Sequence, residues 1–273
     1  MSLATERRCA ASPPDSTRYW VQAGTAGVEL LLAAGLVERG VLLTNASGAH
    51  GVPMAELTLS MMLAFATGLH TLIRAQEACQ WSQEQIIQTK FELEGQTLCV
   101  LGLGDIGGTL AHKAQRLGMR VVGVRRSGRL HPAVAHVFDR TGLHQALALA
   151  DHVALCLPLT AATQGMIGAA ELRAMRPSAY IYNVGRGASL EPAALFQALD
   201  EGWIAGAGLD VTSPEPPPPD SLLWAMPNVI LSQHTSGSSP FNAARITRIF
   251  ATNLARFLAG EPRQQVVDPG RGY

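Results

Sequence analysis

Three polar side chains each follow an apolar segment that predicts a β-strand. Arg186 follows the segment ending at Val184, Glu215 follows the one ending at Val211, and His234 lies just beyond a third. A guanidinium can hold a carboxylate through two hydrogen bonds. An imidazole can donate a proton to a carbonyl oxygen near neutral pH, and a neighbouring carboxylate favours its charged form. The three side chains therefore offer an anion anchor, an acid and a group that orients the acid.

Each of these residues also has a plainer interpretation. Alone, Arg186 is more typical of a structural ion pair, Glu215 of a solvated loop, and His234 of a capping or core histidine. Their joint placement after three predicted strands favours the functional interpretation instead.

A glycine-rich turn lies at Val100–Gly107, between an apolar segment and a helical pattern. In this G-x-G-x-x-G spacing, Gly102 permits a tight turn and Gly104 lets the backbone approach a pyrophosphate. Gly107 allows the following helix to pack closely, and the helix N-terminus can hold negative charge. The turn therefore predicts a dinucleotide site.

The segments that would position these residues alternate between strand and helix patterns. Gln96–Leu101, Asp105–Leu117 and Met119–Val124 predict a βαβ unit. The alternation continues through predicted strands His152–Leu157, Ala179–Val184, Ile204–Val211 and Asn228–Ser232, with helices near Glu171–Met175, Glu191–Glu201 and Pro240–Leu258. The strands are apolar without strict alternation, which is typical of a parallel sheet covered on both faces. We therefore predict a doubly wound α/β fold that binds ligands at the carboxyl ends of its strands.

Composition argues against a nucleic-acid or membrane partner. The 273 residues carry 21 basic and 21 acidic side chains, so the formal net charge is zero. The longest apolar run, Leu57–Leu69, falls short of the ~20 residues that a membrane span needs. Residues 1–14 lack the apolar core of a secretory signal. We expect a cytoplasmic protein with a small-molecule partner.

The segment after Pro53 predicts one long helix that extends toward Cys79, with the proline in its first turn. Apolar residues between Met54 and Leu72 cover more than one stripe, so this helix must pack against more than one neighbour. The neighbours lie either within one protomer or across a subunit interface, and the sequence favours neither.

The cysteines and the remaining histidines receive no chemical role from their spacing. The four cysteines form no C-x-x-C pair and no metal-ligand spacing. Cys99 and Cys156 fall inside predicted strands, so we expect reduced core residues there. We place His131, His136 and His144 in polar connections and predict no metal site.

Together these motifs resemble those of the D-isomer-specific 2-hydroxyacid dehydrogenases, of the glyoxylate/hydroxypyruvate reductase type. The resemblance covers nearly everything after Trp20, and the matching segments are Gly102–Gly107, Asn183–Gly187, Gly208–Val211 with Glu215-Pro216, and Pro227–His234. It implies an oxidoreductase that transfers a hydride from NAD(P)H to a small 2-oxo acid and yields the D-2-hydroxy acid. Arg186 would bind and polarise the oxo acid, and His234, paired with Glu215, would be the general acid/base.

The resemblance also implies further binding residues. Backbone amides at Ala26 and Gly27 would grip the substrate carboxylate, and Asp210 would contact the nicotinamide carboxamide. The other implied cofactor contacts are Gly102, Gly104, Asp105, Ile106, Gly107, Leu157, Pro158, Thr163, Val184, Gly185, His234 and Gly237.

One departure from the family pattern concerns the cofactor. Members that prefer NAD carry an acidic residue at the end of the second Rossmann strand, where it binds the ribose 2′-hydroxyl. Here Arg125, Arg126 and Ser127 occupy that place. Two guanidinium groups and a hydroxyl suit a 2′-phosphate. We therefore predict NADP (NADPH) as the favoured cofactor, with NAD as the alternative. A merely solvated basic turn is the competing interpretation.

A second departure concerns the substrate domain. The family normally has several strand and helix units before the segment that matches Tyr19–Val28. We therefore expect an incomplete flavodoxin-like substrate domain, formed by residues 15–50 and 238–273, beside a Rossmann dinucleotide-binding domain over residues 51–237. An incomplete domain would expose apolar surface and strand edges, which favours a homodimer.

Two alternatives to the reductase stay open. The chain could bind the cofactor without turnover, or it could be a nucleotide-responsive binding protein resembling the C-terminal-binding corepressors. Those corepressors share the fold and the same triad of residue types. The sequence does not identify which 2-oxo acid is the substrate.

Overall fold

The computed structural model describes residues 19–273, and the chain divides into two compact units. Among the described residues, the small unit comprises 19–49 and Phe241–Tyr273, and the large unit comprises His50–Pro240. Residues 15–18 of the expected substrate domain, and Cys9, lie outside the described residues.

The secondary structure alternates between strands and helices along most of the chain. In chain order the elements are β1 (Tyr19–Gln22), α1 (Glu29–Ala33), β2 (Val41–Thr44), α2 (Gly51–Thr67), α3 (Leu69–Glu77), α4 (Gln83–Thr89), β3 (Thr97–Leu101), α5 (Asp105–Arg116), β4 (Arg120–Val124), β5 (His136–Phe138), α6 (Leu143–Leu149), β6 (His152–Leu155), α7 (Ala169–Ala174), β7 (Tyr180–Asn183), α8 (Pro192–Asp200), β8 (Gly206–Leu209), β9 (Val229–Leu231) and α9 (Asn242–Leu258). Three short 3-10 turns lie between them, at Arg140–Gly142, Gly187–Ser189 and Leu222–Trp224.

The large unit is built on a seven-stranded sheet in the order β5-β4-β3-β6-β7-β8-β9. All six pairings in this sheet are parallel. The chain runs outward from β3 to β5 on one side and from β6 to β9 on the other, so the strand order reverses between β3 and β6. This topology confirms the predicted doubly wound α/β fold, and the reversal marks the point where such sheets bind ligands.

Helices cover both faces of this sheet. Leu98 and Val100 of β3 pack in a core cluster with α2 and α5. Cys99 and Leu101 of the same strand pack in a second cluster with α6, α7 and α8. Successive side chains of a strand point to opposite faces, so a strand that is buried on both faces needs apolar residues throughout. This explains why these strands show no alternation of apolar and polar residues.

The apolar segment after Pro53 forms two helices, not the single long helix that we predicted. Gly68 adopts a left-handed backbone (φ 70°) at the C-terminus of α2, a conformation that favours glycine. As a result α3 is bent by 71° from α2. Met62 is buried, whereas Leu69 and Leu72 beyond the bend are 48% and 41% exposed. Within residues 19–273 no helix taken singly has the length and apolar composition of a membrane span; α2 and α3 pass that test only as a bent pair.

Two histidines that we placed in polar connections lie in regular structure. His136 begins β5 and pairs with Val122 of β4. His144 lies in α6, and its Nε2 is 3.0 Å from Glu171 Oε1. A three-residue strand and a helix of two turns are too short to show a clear apolar period, which is why the prediction was wrong for both.

The cysteines inside or next to strands carry free thiols, as expected. Cys99 is fully buried in β3, and burial raises the pKa of its thiol to about 12. Cys156 follows β6, which ends at Leu155, and does not lie inside the strand as predicted. Burial raises the pKa of the Cys156 thiol to about 12 as well.

In the small unit the N-terminal strands pack with the C-terminal helix. β1 and β2 form a parallel two-stranded sheet. Trp20 of β1 stacks with Phe250 and Phe257 of α9, with ring centroids 5.6 and 5.5 Å apart. The buried amide of Asn253 donates a hydrogen bond to Gln22 Oε1 at 3.0 Å. These contacts explain how two segments far apart in sequence form one unit.

Candidate active site

The predicted catalytic residues follow three neighbouring strands of the large unit. Arg186 follows β7, Glu215 follows β8 and His234 follows β9. The glycine turn of Gly102–Gly107 follows β3, and Leu157 follows β6. Because all five strands are parallel, these residues all lie beyond the carboxyl ends of the strands, on the same side of the sheet.

His234 and Glu215 are in direct contact. A hydrogen bond joins His234 Nδ1 to Glu215 Oε1. The side chains are 51% and 38% exposed, so the pair is accessible to a ligand. With Nδ1 engaged by the carboxylate, Nε2 is the ring nitrogen that can donate or accept a proton.

The backbone that carries His234 is strained. Gln233 and His234 both adopt the left-handed region, with φ of 56° and 55°. This region costs a non-glycine residue about 1–2 kcal/mol, so such a pair persists only where the surroundings hold it. The His234 N–H donates to the backbone oxygen of Asp210 at 2.6 Å.

The side chain of Asp210 is directed at the same loop. Its carboxylate is buried and accepts hydrogen bonds from Ser232 Oγ (2.8 Å), Thr235 N (2.9 Å) and Ser236 N (3.1 Å). Ser236 Oγ is hydrogen-bonded to the second carboxylate oxygen. The serine contacts were missed at the sequence level, because Ser232 and Ser236 have no spacing relation to Asp210. The expected contact of Asp210 with a nicotinamide stays a prediction.

Arg186 lies on a turn shaped by a buried asparagine. Asn183 Oδ1 accepts the Gly185 N–H at 3.1 Å, and Asn183 Nδ2 donates to the Arg186 backbone oxygen at 3.0 Å. Ser189 Oγ donates to the same oxygen at 2.7 Å. Arg186 itself donates from Nη1 to the Gly185 carbonyl at 2.8 Å. The sequence alone predicts no role for Asn183, although this residue begins the Asn183–Gly187 motif.

The three glycines of the nucleotide turn meet different spatial constraints. Gly102 has a positive φ of 95°, and a Cβ there would lie 2.7 Å from the Cys156 backbone oxygen. A Cβ at Gly107 would lie 1.9 Å from the Gly102 oxygen. At Gly104, by contrast, no described atom lies within 4 Å of a built Cβ. The turn is therefore crowded at its first and third glycines and open at its second, beside the N-terminus of α5, which fits the approach of a pyrophosphate.

The loops after β6 and β7 adjoin this turn. A Cβ at Gly185 would lie 2.6 Å from the Leu157 backbone oxygen. Thr163 Oγ1 donates to the Pro158 carbonyl at 2.6 Å and folds the loop back on itself. Val184 is buried at the end of β7. These predicted cofactor residues thus lie together along the carboxyl ends of β3, β6 and β7.

The basic turn after β4 is tight and exposed. Arg125 is half-buried, whereas Arg126 and Ser127 are exposed. The Gly128 N–H donates to the Arg125 oxygen at 3.1 Å and closes the turn. Arg129 is exposed on the same turn.

The predicted substrate-binding amides lie in the small unit. Ala26 and Gly27 follow the carboxyl end of β1. The buried Asn45 donates from Nδ2 to the Ala26 oxygen at 2.9 Å, and Thr25 Oγ1 donates to the Gly27 oxygen at 2.7 Å. Asn45 therefore shapes this loop, a role that sequence reasoning missed.

Gly237, the last predicted cofactor residue, lies in the large unit. Its backbone oxygen is 3.2 Å from Nδ1 of His50, at the N-terminus of α2.

Comparison with known proteins places this arrangement in context. Residues 59–236 match the family model described as D-isomer specific 2-hydroxyacid dehydrogenase, NAD binding domain. The chain is 34% identical over 226 residues to a glyoxylate reductase of Korarchaeum cryptofilum, covering 82% of this chain and 68% of that protein. It is 32% identical over 237 residues to a glyoxylate reductase of Aeropyrum pernix, and this match covers 84% of this chain and 70% of that protein.

Solved structures show the same likeness in three dimensions. The NADPH-dependent glyoxylate/hydroxypyruvate reductase of Sinorhizobium meliloti, in complex with NADP and sulfate, superposes with a TM-score of 0.82 at 30% identity. That match covers 93% of this chain and 80% of the other. A D-isomer specific 2-hydroxyacid dehydrogenase of Xanthobacter autotrophicus, in complex with NADPH and MES, has a TM-score of 0.82 at 34% identity. This match covers 93% of this chain and 79% of the other.

Proposed function

Because this chain belongs to the D-isomer-specific 2-hydroxyacid dehydrogenases, which are NAD(P)-dependent oxidoreductases, we propose that it reduces a small 2-oxo acid with NADPH. Glyoxylate and hydroxypyruvate are the proposed substrates, and the product is the D-2-hydroxy acid. The observation that carries the proposal is the contact between His234 and Glu215. It joins an acid and its orienting group at the edge of the sheet where the glycine turn also lies. We propose the large unit as the dinucleotide-binding domain and the small unit as the substrate domain.

In the proposed reaction each residue has a distinct task. The bound dinucleotide supplies the hydride that C2 of the oxo acid receives. Arg186 binds the carboxylate and polarises the carbonyl, because its guanidinium presents two parallel donors to oxygen. His234 gives a proton from Nε2 to the carbonyl oxygen as charge develops there. Glu215 holds the ring in orientation and offsets the imidazolium charge.

The substrate carboxylate needs a second anchor, and we propose the backbone amides of Ala26 and Gly27 for it. Asn45 supports this proposal, because its bond to the Ala26 oxygen fixes the peptide orientation of the loop. Because these amides are already held in place, little conformational entropy is lost when the anion binds.

The proposed preference for NADPH rests on the turn after β4. Arg125 and Arg126 would pair with the 2′-phosphate, and Ser127 would donate a hydrogen bond to it. The relatives from Sinorhizobium meliloti and Xanthobacter autotrophicus hold NADP and NADPH, which supports the same preference here. NAD would lack the phosphate that these side chains contact. The remaining proposed cofactor contacts are Gly102, Gly104, Asp105, Ile106, Gly107, Leu157, Pro158, Thr163, Val184, Gly185, Asp210, His234 and Gly237.

We also propose that the protein is a homodimer. Exposed apolar side chains are concentrated between α2 and α4, and they include Leu63 (43% exposed), Ile73 (48%), Trp81 (91%) and Ile87 (61%). We propose these side chains as the interaction surface, because covering exposed apolar side chains favours association. Sedimentation that shows only monomer at micromolar concentration would remove the proposal.

The test of the reaction follows the absorbance of NADPH and, separately, of NADH with glyoxylate, hydroxypyruvate and phenylpyruvate. We expect NADPH-selective turnover that falls by about 100-fold or more in His234→Ala, the range typical of a lost general acid. His112→Ala is the matched control, because His112 is an exposed histidine on α5. Turnover that survives in His234→Ala would refute the proposed role. NADPH binding without turnover in the unaltered protein would favour a binding function instead.

A further inference from the structure

We infer that Asp210, together with Ser232 and Ser236, positions His234 for proton transfer. The inference rests on the proposed function, because it presupposes that His234 is the general acid. It adds a task that is separate from cofactor binding, since the Asp210 carboxylate is directed at the loop that carries the histidine. Asp210, Ser232 and Ser236 are positioning residues in this proposal, and they act through His234.

The first support is the backbone conformation of the loop. Gln233 and His234 are consecutive non-glycine residues in the left-handed region. Such residues prefer the right-handed or extended regions when nothing holds them. A return of His234 to either region would redirect its imidazole away from Glu215. The contact between His234 and Glu215 therefore depends on whatever restrains this loop.

The second support is the number of bonds that converge on Asp210. One carboxylate oxygen, Oδ1, accepts from Ser232 Oγ, Thr235 N and Ser236 N at 2.8, 2.9 and 3.1 Å. The other oxygen is bonded to Ser236 Oγ. The backbone oxygen of Asp210 also accepts the His234 N–H at 2.6 Å. One residue thus holds the loop before, at and after the histidine.

The third support is burial. Asp210 and Ser236 are each 3% exposed, so water does not compete effectively for these bonds. Hydrogen bonds to a charged acceptor are among the stronger ones in proteins, and a buried carboxylate that loses them is left without compensation. Asp210 also lies directly after β8, in the sheet that bears the site, so the anchor itself is rigid. A rigid anchor and supporting hydrogen bonds are what hold an imidazole in a fixed orientation.

The experiment removes the hydroxyls and leaves the histidine in place. Ser232→Ala and Ser236→Ala each delete one donor to Asp210. Ser232→Thr restores a hydroxyl at a half-buried position, and Ser238→Ala is the control from an exposed serine of the same loop. The readouts are kcat and KM for glyoxylate, the NADPH dissociation constant by fluorescence titration, and the solvent deuterium isotope effect on kcat.

If the inference holds, kcat falls by about 10- to 100-fold in both alanine variants, the scale of a misplaced catalytic group. NADPH affinity changes by less than about twofold, since these side chains are not assigned to the cofactor's phosphates or ribose. The solvent isotope effect increases, because proton transfer becomes more limiting. Ser232→Thr recovers kcat, and Ser238→Ala behaves as the unaltered protein. If Ser236→Ala fails to fold, the comparison of Ser232→Ala with Ser232→Thr still tests the inference.

Two results would overturn the inference. Wild-type kcat in Ser232→Ala would show that His234 is positioned without the hydrogen bond from Ser232 to Asp210. A loss of NADPH affinity that matches the loss of kcat would show that these hydroxyls act through cofactor binding and not through His234. In both cases His234→Ala distinguishes a failure of this inference from a failure of the proposed function. The proposed function fails only if His234→Ala retains turnover.

Discussion

His234 and Glu215 are hydrogen-bonded to each other although 19 residues separate them in the chain. Each follows its own strand, and β8 and β9 are neighbours in the parallel sheet. The loop after each strand therefore begins at the same edge, which brings the carboxylate to the imidazole. The contact depends on the fold and on the loop conformation, and both can be tested.

Removing the carboxylate should slow turnover without preventing folding. In Glu215→Ala we expect kcat for glyoxylate to fall by about 10- to 100-fold, because the ring loses its orientation and its counter-charge. The kcat of Glu215→Gln should lie between those of Glu215→Ala and the unaltered protein, since the glutamine amide oxygen still accepts a hydrogen bond from His234 Nδ1. Glu201→Ala, at an exposed carboxylate that bonds Gln197 and Trp203, is the control. Equal rates in Glu215→Ala and the control would contradict the assignment.

Reversing the charge after β4 should change which cofactor is used. In Arg125→Asp we expect kcat/KM for NADPH to fall at least about tenfold while that for NADH holds or rises, because an acidic side chain repels the 2′-phosphate. Arg120→Asp is the matched control, since Arg120 begins β4 and Arg125 follows its end. Steady-state rates with each cofactor measure the ratio. Equal losses with both cofactors would sink the prediction.

The nucleotide turn offers a pair of glycine substitutions with opposite expected effects. Gly104→Ala should leave the melting temperature unchanged, because no described atom lies within 4 Å of the added Cβ. It should weaken NADPH binding at least about tenfold, since the added methyl group would lie where we propose that the pyrophosphate binds.

Gly107→Ala should instead lower the free energy of unfolding by about 1–3 kcal/mol, because its Cβ would lie 1.9 Å from the Gly102 oxygen. Thermal unfolding and NADPH titration distinguish the two variants. A destabilised Gly104→Ala with normal NADPH affinity would contradict the proposed site.

A buried histidine should make stability depend on pH. His152 is fully buried between Gln96 and Tyr182, with Nδ1 3.0 Å from the tyrosine hydroxyl. Burial lowers its pKa from 6.5 to about 4 in the folded protein. Between these values the unfolded chain binds the proton and the folded protein does not. Stability from this group is therefore present above about pH 6.5 and is lost as the pH falls toward 4.

The free energy of unfolding should fall by about 3 kcal/mol as the pH is lowered from about 6.5 to about 4. Denaturant unfolding at several pH values measures it, with His152→Gln as the comparison because glutamine does not titrate. The variant should show a shallower pH dependence than the unaltered protein. Parallel curves for the two proteins would refute the assignment to His152.

Periodicity predicted the elements whose side chains face a core on both sides. Residues 97–101 and 180–183 are mostly apolar, and both segments form strands as expected. The motifs likewise predicted the family, which the sequence comparison confirms. Prediction failed where a single backbone conformation decided the outcome. Gly68 ends α2 and turns the chain by 71°, although the apolar residues continue past it.

What the sequence determined by itself is therefore most of the strands and helices that build the parallel sheet, the glycine turn, and the residue types after each strand. These follow from short-range rules, since burial on two faces and tight turns leave a local pattern. Only the tertiary structure decided that Asp210 directs its carboxylate to Ser232 and Ser236, and that Asn45 fixes the Ala26 loop. Those contacts join residues from different strands and loops. Because such contacts depend on how separate loops meet in space, no local spacing in the chain encodes them.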